Sequence, residues 1–449
     1  MIIINANVVT FEKPNQILKD RGVLIQDGHI KEILSSEEIA RKYSGEEILD
    51  AHGQYLLPGK ICAHTHFYGA FSRGLAIPGE APENFLQILQ KLWWPLDKSL
   101  TLPDVKYSAL VFIIDAIRNG TTTLIDHHAS PNAIEGSLDE IENAVDLTGI
   151  RAALCYEVTD RDGKEKAAAG INENIRYIDR IAREKPMDGR VRAMFGLHAS
   201  LTLSDQTLEK ARDAAGQKTG FHIHAAESTF DEYDSLAKGG MRAIDRLHKF
   251  GILGPQSIVA HAVHVDAHEI DLLEETKTWV THQPRSNMNN AVGLPAVESM
   301  MRAGINVCLG NDGFSNSMWE EWKTAYLSHK LLNMDPRRMG GYDVLEMAVY
   351  NNRLLANNIF VGEDLGVIKP GAAADIILVD YHPFTPLTPE NLPWHILFGF
   401  NDGMVTATMV AGKLLMKDRK LLFLDEERIA YEAGKLAPAV WSRFNQQFN

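Results

Sequence analysis

The alternation of short apolar runs with longer helical stretches, through the middle of the chain, constrains the fold most. Eight such runs are rich in β-branched or apolar residues, and most are separated by roughly one helix and two loops. Strand–helix units in succession build a parallel sheet, and eight of them fit a (β/α)₈ barrel. The eight predicted strands span residues 60–66, 121–127, 151–157, 192–198, 219–225, 257–262, 278–283 and 305–312.

The two ends of the chain have a different pattern. The stretches "MIIINANVVTF" and "GVLIQDGHIKEIL" near the start, and "GVIKPGAAADIILVDY" near the end, are typical of strands joined by turns. The sequence therefore predicts an α/β protein in which residues 58–361 form the barrel. Residues 1–57 and 362–421 are expected to form one small β-sandwich, and residues 422–449 a C-terminal helical tail.

Composition excludes several classes of protein. The chain has 449 residues, of which 45% are hydrophobic, so it can bury a large core. The net charge of −14 and the lack of a basic run argue against nucleic-acid binding. No apolar stretch is long enough to cross a membrane, and the first residues do not resemble an export signal. The three separated cysteines predict buried thiols in a reducing cytoplasm.

Histidines and carboxylates gather where the predicted strands end. In "PGKICAHTH", His64 and His66 are two positions apart and so lie on one face of a strand. "HIHAAES" adds His222 and His224, and "LGNDG" adds Asp312. Two histidines, a third histidine and an aspartate supply nitrogen and oxygen donors for one divalent ion. Solvated loop histidines, a satisfied core histidine, or a helix N-cap at Asp312 are the structural alternatives.

Several motifs together resemble a known family. "LPGKICAHTH", "HAAE", "AHAVH", "LGNDG" and "PGAAADIILVD" are similar to the amidohydrolase superfamily, in its branch of aromatic deaminases and chlorohydrolases. "KLWWPLDKSL", "DHHASP" and "RSNMNN" resemble the SsnA-type aminohydrolases, which are associated with purine and selenium-linked metabolism. The resemblance implies a site for one divalent ion, zinc or iron, and a homodimer. The implied ligands are His64, His66, His224 and Asp312.

The same resemblance implies roles for the residues around the ion. Glu227 becomes the proton shuttle, and His261 contacts the metal-bound water or the substrate. Asp312 acts as a base as well as a ligand. The expected substrate contacts are His198, His128 and Trp94, although Trp94 fits a core position equally well.

The predicted reaction follows from these residue types. A bound divalent ion lowers the pKa of its water, and the resulting hydroxide attacks a carbon that bears a leaving group. We expect a metal-dependent hydrolytic deaminase that releases ammonia from a purine-like or related N-heterocycle. A cyclic amide hydrolase, a triazine-type chlorohydrolase and a non-catalytic metal-binding protein are the alternatives.

Overall fold

The computed structural model describes residues 1–185 and 189–448, and its centre consists of parallel strands. One sheet has four strands and a second has five, all paired in parallel. Each of the eight predicted runs contains an observed strand, and the fourth run is interrupted at Met194. The strands are Lys60–Thr65, Thr121–Asp126, Arg151–Leu154, Val191–Ala193, Phe195–Ala199, Phe221–Ala225, Ile258–His261, Trp279–His282 and Val307–Leu309.

Isolated bridges join the two parallel sheets at two places. At one junction, an isolated bridge pairs Thr65 with Asp312, and the backbone N–H of His66 donates to the Asp312 carbonyl at 3.2 Å. At the other, a bridge pairs Val158 with Leu197, in the strand that continues the interrupted fourth run. The carboxyl ends of all these strands therefore lie at the same side of the molecule.

Both ends of the chain join one nine-stranded sheet. Tyr55–Pro58, from the first segment, pairs antiparallel with Ile376–Val379, from the last. Apolar residues of this sheet such as Ile3, Val8 and Leu56 form a buried cluster of their own, whereas others, such as Leu57 and Ile377, join the main core. The remaining strands are Ile2–Val9, Ile17–Gln26, His29–Ser35, Ile48–Asp50, Val405–Val410, Lys413–Lys417 and Lys420–Leu421.

The helices begin where the sequence supplies capping groups. The Thr101 backbone N–H donates to the Asp104 carboxylate at 2.8 Å, ahead of the helix Leu102–Arg118. The Asp266 backbone N–H donates to the Glu269 carboxylate at 3.0 Å in the same way. The other α-helices are Ser36–Lys42, Phe85–Ile88, Trp94–Lys98, Ser137–Thr148, Lys164–Glu184, Asp205–Ala215, Thr229–Gly239, Ala243–Lys249, Ala267–Glu275, Pro284–Asn289, Val297–Ala303, Met318–Asn333, Gly341–Leu345, Asn352–Ile359, Leu392–Gly399 and Glu426–Asn445.

Short helical turns complete the chain. A π-helical turn at Leu89–Trp93 joins two helices above the carboxyl ends of the strands, and another occupies Glu346–Asn351. The 3₁₀ turns are Phe67–Ser72, Ser200–Thr202, Asp402–Met404 and Gln446–Phe448.

The C-terminal helix is tied to the centre of the molecule. The Trp441 indole N–H donates to the Phe71 carbonyl at 2.9 Å, and the Arg443 guanidinium donates to the Ser99 carbonyl at 2.6 Å. Throughout the described chain, the helices are all too short or too polar to cross a membrane. The three cysteines are buried free thiols, as the sequence predicted.

Candidate active site

The carboxyl ends of the parallel strands bring imidazoles and carboxylates together. Because the strands run in the same direction, the side chains that end them share one edge. All of them are buried except Asp312, whose side chain is 15% exposed, although burial is costly for polar groups that lack partners. The residues gathered there are His64, His66, His127, His198, His222, His224, Glu227, His261 and Asp312.

The four ligands implied by the resemblance lie within contact of one another. His66 Nε2 is 2.9 Å from Asp312 Oδ1, and His64 Nε2 is 3.6 Å from the same oxygen. His224 Nε2 is 3.2 Å from His66 Nε2. His64, His224 and Asp312, together with His261, form a group whose ligand atoms all lie within 4.8 Å. This spacing can hold one metal ion.

In two of the rings, the hydrogen bond made by Nδ1 determines whether Nε2 carries a hydrogen or a lone pair. His66 Nδ1 donates to the His127 carbonyl and His224 Nδ1 donates to the His198 carbonyl, both at 2.6 Å. A carbonyl only accepts, so each ring holds its proton on Nδ1 and presents a lone pair at Nε2. Two lone pairs that face each other repel unless a cation lies between them. The donor set therefore fits a divalent cation.

Glu227 and His261 border this cluster. His261 Nδ1 donates to the Asn287 side-chain oxygen at 2.8 Å, and its Nε2 lies 3.6 Å from Glu227 Oε2. Burial, with the nearby Asp312 carboxylate, raises the pKa of Glu227 well above its usual range. Burial opposes ionisation of Asp312, but contacts with His64 and His66 lower its pKa well below the usual range. The two carboxyls are thus suited to different tasks, one to hold a proton and one to hold a cation.

The backbone is strained at this edge. His261 has φ of 75° and Asp312 has φ of 57°, in the left-handed region that side chains other than glycine rarely adopt. Ala226 and Ala262, which flank the same strand ends, have φ of 52° and 47°. Such strain, about 1–3 kcal/mol for each residue, concentrates at functional sites.

A cavity opens above the cluster. Its polar floor includes His66, His224 and Asp312, and its apolar wall comes from the segment between the first and second strands. The wall residues are Tyr68, Phe85, Leu89 and Trp93. The described part of the chain contributes no lysine or arginine to the lining.

The predicted substrate contacts differ in their positions. His198 lines the cavity, whereas neither Trp94 nor His128 is among the described lining residues. Trp94 packs under the guanidinium of Arg161, 5.0 Å from its ring centroid, and its neighbour Trp93 faces the cavity instead. His128 lies beyond Tyr68, with 6.1 Å between the ring centroids. The spacing of Phe85, Leu89 and Trp93, four residues apart, was the helical signal for the correct face.

Three buried residues of the site were not assigned a role from sequence. His127 and His222 stack with ring centroids 4.4 Å apart, and His222 Nε2 lies 2.8 Å from His64 Nδ1. Glu157 is 1% exposed and lies behind His66 and His198. The stretch "CYE" ends the third predicted run in a carboxylate. A carboxylate that ends an apolar run was the signal for Asp312, and the same signal is present for Glu157.

Comparison with known proteins agrees with this geometry. A 5'-deoxyadenosine deaminase of Methanosarcina mazei is 33% identical over 99% of this chain and 99% of its own. A 5-methylthioadenosine/S-adenosylhomocysteine deaminase of Acetivibrio thermocellus is 29% identical over 98% of this chain and 99% of its own. An adenosine deaminase from Xanthomonas campestris, solved with bound zinc, superposes with a TM-score of 0.85. That match has 22% identity and covers 98% of both chains.

The fold and the histidine–aspartate cluster define a metal-dependent hydrolase of carbon–nitrogen bonds. The family model described as "Amidohydrolase family" matches residues 55–415. The chain belongs to the amidohydrolase family, so the family resemblance of the motifs is confirmed.

Proposed function

We propose that this protein is a hydrolytic deaminase that releases ammonia from an aminated purine base or purine nucleoside. The observation that carries the proposal is the convergence, in one cavity, of lone-pair-bearing imidazoles with Asp312 and the proton-holding Glu227. The names of the relatives, which are deaminases of adenine-containing compounds, support the same reaction. A protein that only stored metal would have no use for Glu227.

We assign the metal ligands as His64, His66, His224 and Asp312. Zinc suits this mixed set of nitrogen and oxygen donors, and iron is the alternative. When bound, the ion makes a water molecule nucleophilic at neutral pH. Both metals would bind through the same four ligands.

The proposed proton path uses Glu227 and Asp312. Glu227 donates the proton that it holds to a ring nitrogen, and a proton from the attacking water replaces it. Asp312 takes the second proton and returns it to the departing amine, so ammonia leaves and a carbonyl group forms on the ring. His261 Nε2 faces Glu227 and orients the oxygen that is being added.

The side chains that line the cavity restrict the class of substrate. The described lining residues include no lysine or arginine that could pair with a phosphate or carboxylate of the substrate. A charged substituent that entered the cavity would lose its hydration without gaining a protein partner. We therefore propose an uncharged substrate, flat enough to lie against Tyr68 and Trp93 and to contact His198.

The architecture that we propose around this site has two parts. Bridges at both sheet junctions support a closed (β/α)₈ barrel over residues 58–361. The shared nine-stranded sheet supports a small β-sandwich built from residues 1–57 and 362–421, with residues 422–449 as a helical tail. We also propose a homodimer, from the resemblance, and a cytoplasmic location, which the three free thiols favour.

A substrate screen tests the function. Metal-loaded protein is incubated with aminopurines, adenosine-type nucleosides, their 5'-phosphates, pterins and pyrimidines, and both ammonia and ring absorbance are measured. We expect one ammonia for each aminopurine ring converted, with uncharged compounds preferred over phosphates. Ring opening without ammonia would replace the proposal with a cyclic amide hydrolase. Faster turnover of the 5'-phosphates would refute only the proposal that the substrate is uncharged.

A further inference from the structure

We propose that Asp231 is a positioning residue for Glu227, because its buried carboxylate fixes the backbone from which Glu227 reaches into the cavity. This role rests on the proposed proton transfer by Glu227. Asp231 is 1% exposed and lines the same cavity as Glu227. It lies in the first turn of the helix Thr229–Gly239, which begins just after Glu227.

Both oxygens of the Asp231 carboxylate are occupied by backbone donors. Oδ2 accepts from the Ala226 N–H, and Oδ1 accepts from the Leu201 N–H at 2.9 Å. Neither donor belongs to the helix that carries Asp231. The carboxylate therefore joins two loops, which follow the neighbouring parallel strands Phe221–Ala225 and Phe195–Ala199.

Helix capping alone does not explain these contacts. Asp231 is the third residue of its helix, and in a capping box the third residue accepts from the backbone N–H of the N-cap, here Ser228. Asp231 accepts instead from Ala226, two residues before that N-cap. Glu227 lies between the two, so the hydrogen bond encloses the proton shuttle rather than the end of the helix.

The residue that precedes Glu227 is held on both sides. Ala226 has a φ of 52°, in the left-handed region where a side chain is unfavourable. Its N–H donates to Asp231, and its carbonyl accepts from the His264 N–H at 2.9 Å. Because both peptide groups around Ala226 are fixed, the direction in which the chain enters Glu227 is fixed as well. Without the Asp231 acceptor, the strain at Ala226 would be free to relax, and Glu227 would turn with it.

The second loop belongs to the substrate side of the cavity. Leu201 lies in the 3₁₀ turn Ser200–Thr202, and the Thr202 hydroxyl lies 2.7 Å from His198 Nδ1. Leu201 and His198 both line the cavity. Asp231 therefore sets the position of the proton donor relative to a wall that the substrate contacts. A displacement of about 1 Å between reacting groups costs about 100-fold in rate.

A double-mutant cycle tests whether Asp231 acts through Glu227. Asp231→Asn places an NH₂ group where one of the two oxygens was, so one backbone N–H loses its acceptor. We expect kcat to fall by about 10–100-fold, with KM and zinc content nearly unchanged. In the Glu227→Gln background, the same substitution should cause no further loss, because the group that it positions is already absent.

Glu232→Gln is the matched control. Glu232 is the next residue of the same helix and is also buried, but it faces the Ala243 N–H and Arg242. Its loss should leave kcat unchanged. Asp231→Ala removes both acceptors without adding an NH₂ group, and it serves if Asp231→Asn does not fold. Equal losses of kcat from Asp231→Asn in both backgrounds would overturn the proposal. A similar loss in Glu232→Gln would also overturn it, since any weakening of this helix would then be enough.

The crystal structure of Asp231→Asn is a readout that needs no substrate. We expect Ala226 to leave the left-handed region and the Glu227 carboxyl to turn away from the cavity, while His224 stays in place. Ala226 and Glu227 unmoved in the variant would overturn the proposal. A wild type that releases no ammonia from any compound of the screen would refute the proposed function, and the crystal structure would still decide whether Asp231 positions Glu227.

Discussion

The two ends of the third parallel strand, Arg151–Leu154, differ in the hydrogen-bond donors that they offer to a buried carboxylate. At its start, Arg151 donates to both oxygens of Asp375, from Nε at 2.8 Å and from Nη2 at 2.9 Å. The Ala411 backbone N–H adds a third donor to Asp375 at 2.8 Å. Past its end, Glu157 is equally buried but has no donor among the described residues.

The carboxylate at the start of the strand contributes to stability, whereas the one past its end belongs to the functional site. At the start of the strand, the carboxylate ties the parallel sheet to the segment that precedes Ile376–Val379, so its charge is fully compensated within the fold. At the carboxyl end, where α/β folds place their functional groups, uncompensated acceptors are retained. An uncompensated buried group lowers the stability of the protein.

The largest expected effect comes from removing the compensation at Asp375. Arg151→Met should lower the free energy of unfolding by about 3–5 kcal/mol, because it leaves a buried carboxylate without its ion-pair partner. Urea denaturation followed by circular dichroism measures this change. The double variant Arg151→Met with Asp375→Leu should recover most of the loss, since an apolar pair can replace a buried ion pair. A single variant as stable as the wild type would show that the ion pair is not what stabilises this end.

A smaller effect, on turnover alone, is expected in the site at the carboxyl ends of the strands. Glu227→Gln should reduce turnover by about 100-fold or more, about 2.7 kcal/mol in activation free energy, because it removes the proton shuttle. Metal content and folding should stay normal. Steady-state kinetics on the substrate found in the screen, with elemental analysis of the same sample, measures both.

Asp312→Asn is the matched comparison for Glu227→Gln. It removes an anionic ligand, so it should lose metal and activity together. Wild-type rates in Glu227→Gln would mean that another group carries the proton.

The smallest expected effect is on stability at Glu157. In protein kept free of metal by a chelator, Glu157→Gln should raise the free energy of unfolding by about 1 kcal/mol, because the amide can donate to a neighbouring imidazole. Thermal unfolding of the variant and the wild type measures the change. A variant less stable than the wild type would show that Glu157 has a structural partner.

Sequence reasoning was most successful where a local pattern carries the information. The eight strands could be located because each is an apolar run between helical stretches, and Lys60–Thr65 begins at the predicted residue. His64 and His66 were recognisable because alternation along a strand puts both on one face. Asp312 was recognisable because a carboxylate that ends an apolar run needs a reason.

The cavity wall was harder to predict because it depends on how one segment folds back. The neighbouring residues Trp93 and Trp94 have the same chemistry and both suit a cavity wall, and the predicted substrate contact was Trp94. In the structure, Trp93 lines the cavity together with Phe85 and Leu89, whereas Trp94 packs against Arg161.

The sequence by itself determined the amidohydrolase family, the order of the strands and the types of side chain that meet at their carboxyl ends. Only the tertiary structure decided which nitrogen of each imidazole carries the hydrogen. That choice is made by carbonyls from other strands, such as those of His222 for His127 and His198 for His224. Residues far apart in the chain supply these acceptors, so no local pattern encodes them. The lone pairs of these rings point where they do only because the strands bring those carbonyls into contact with the rings.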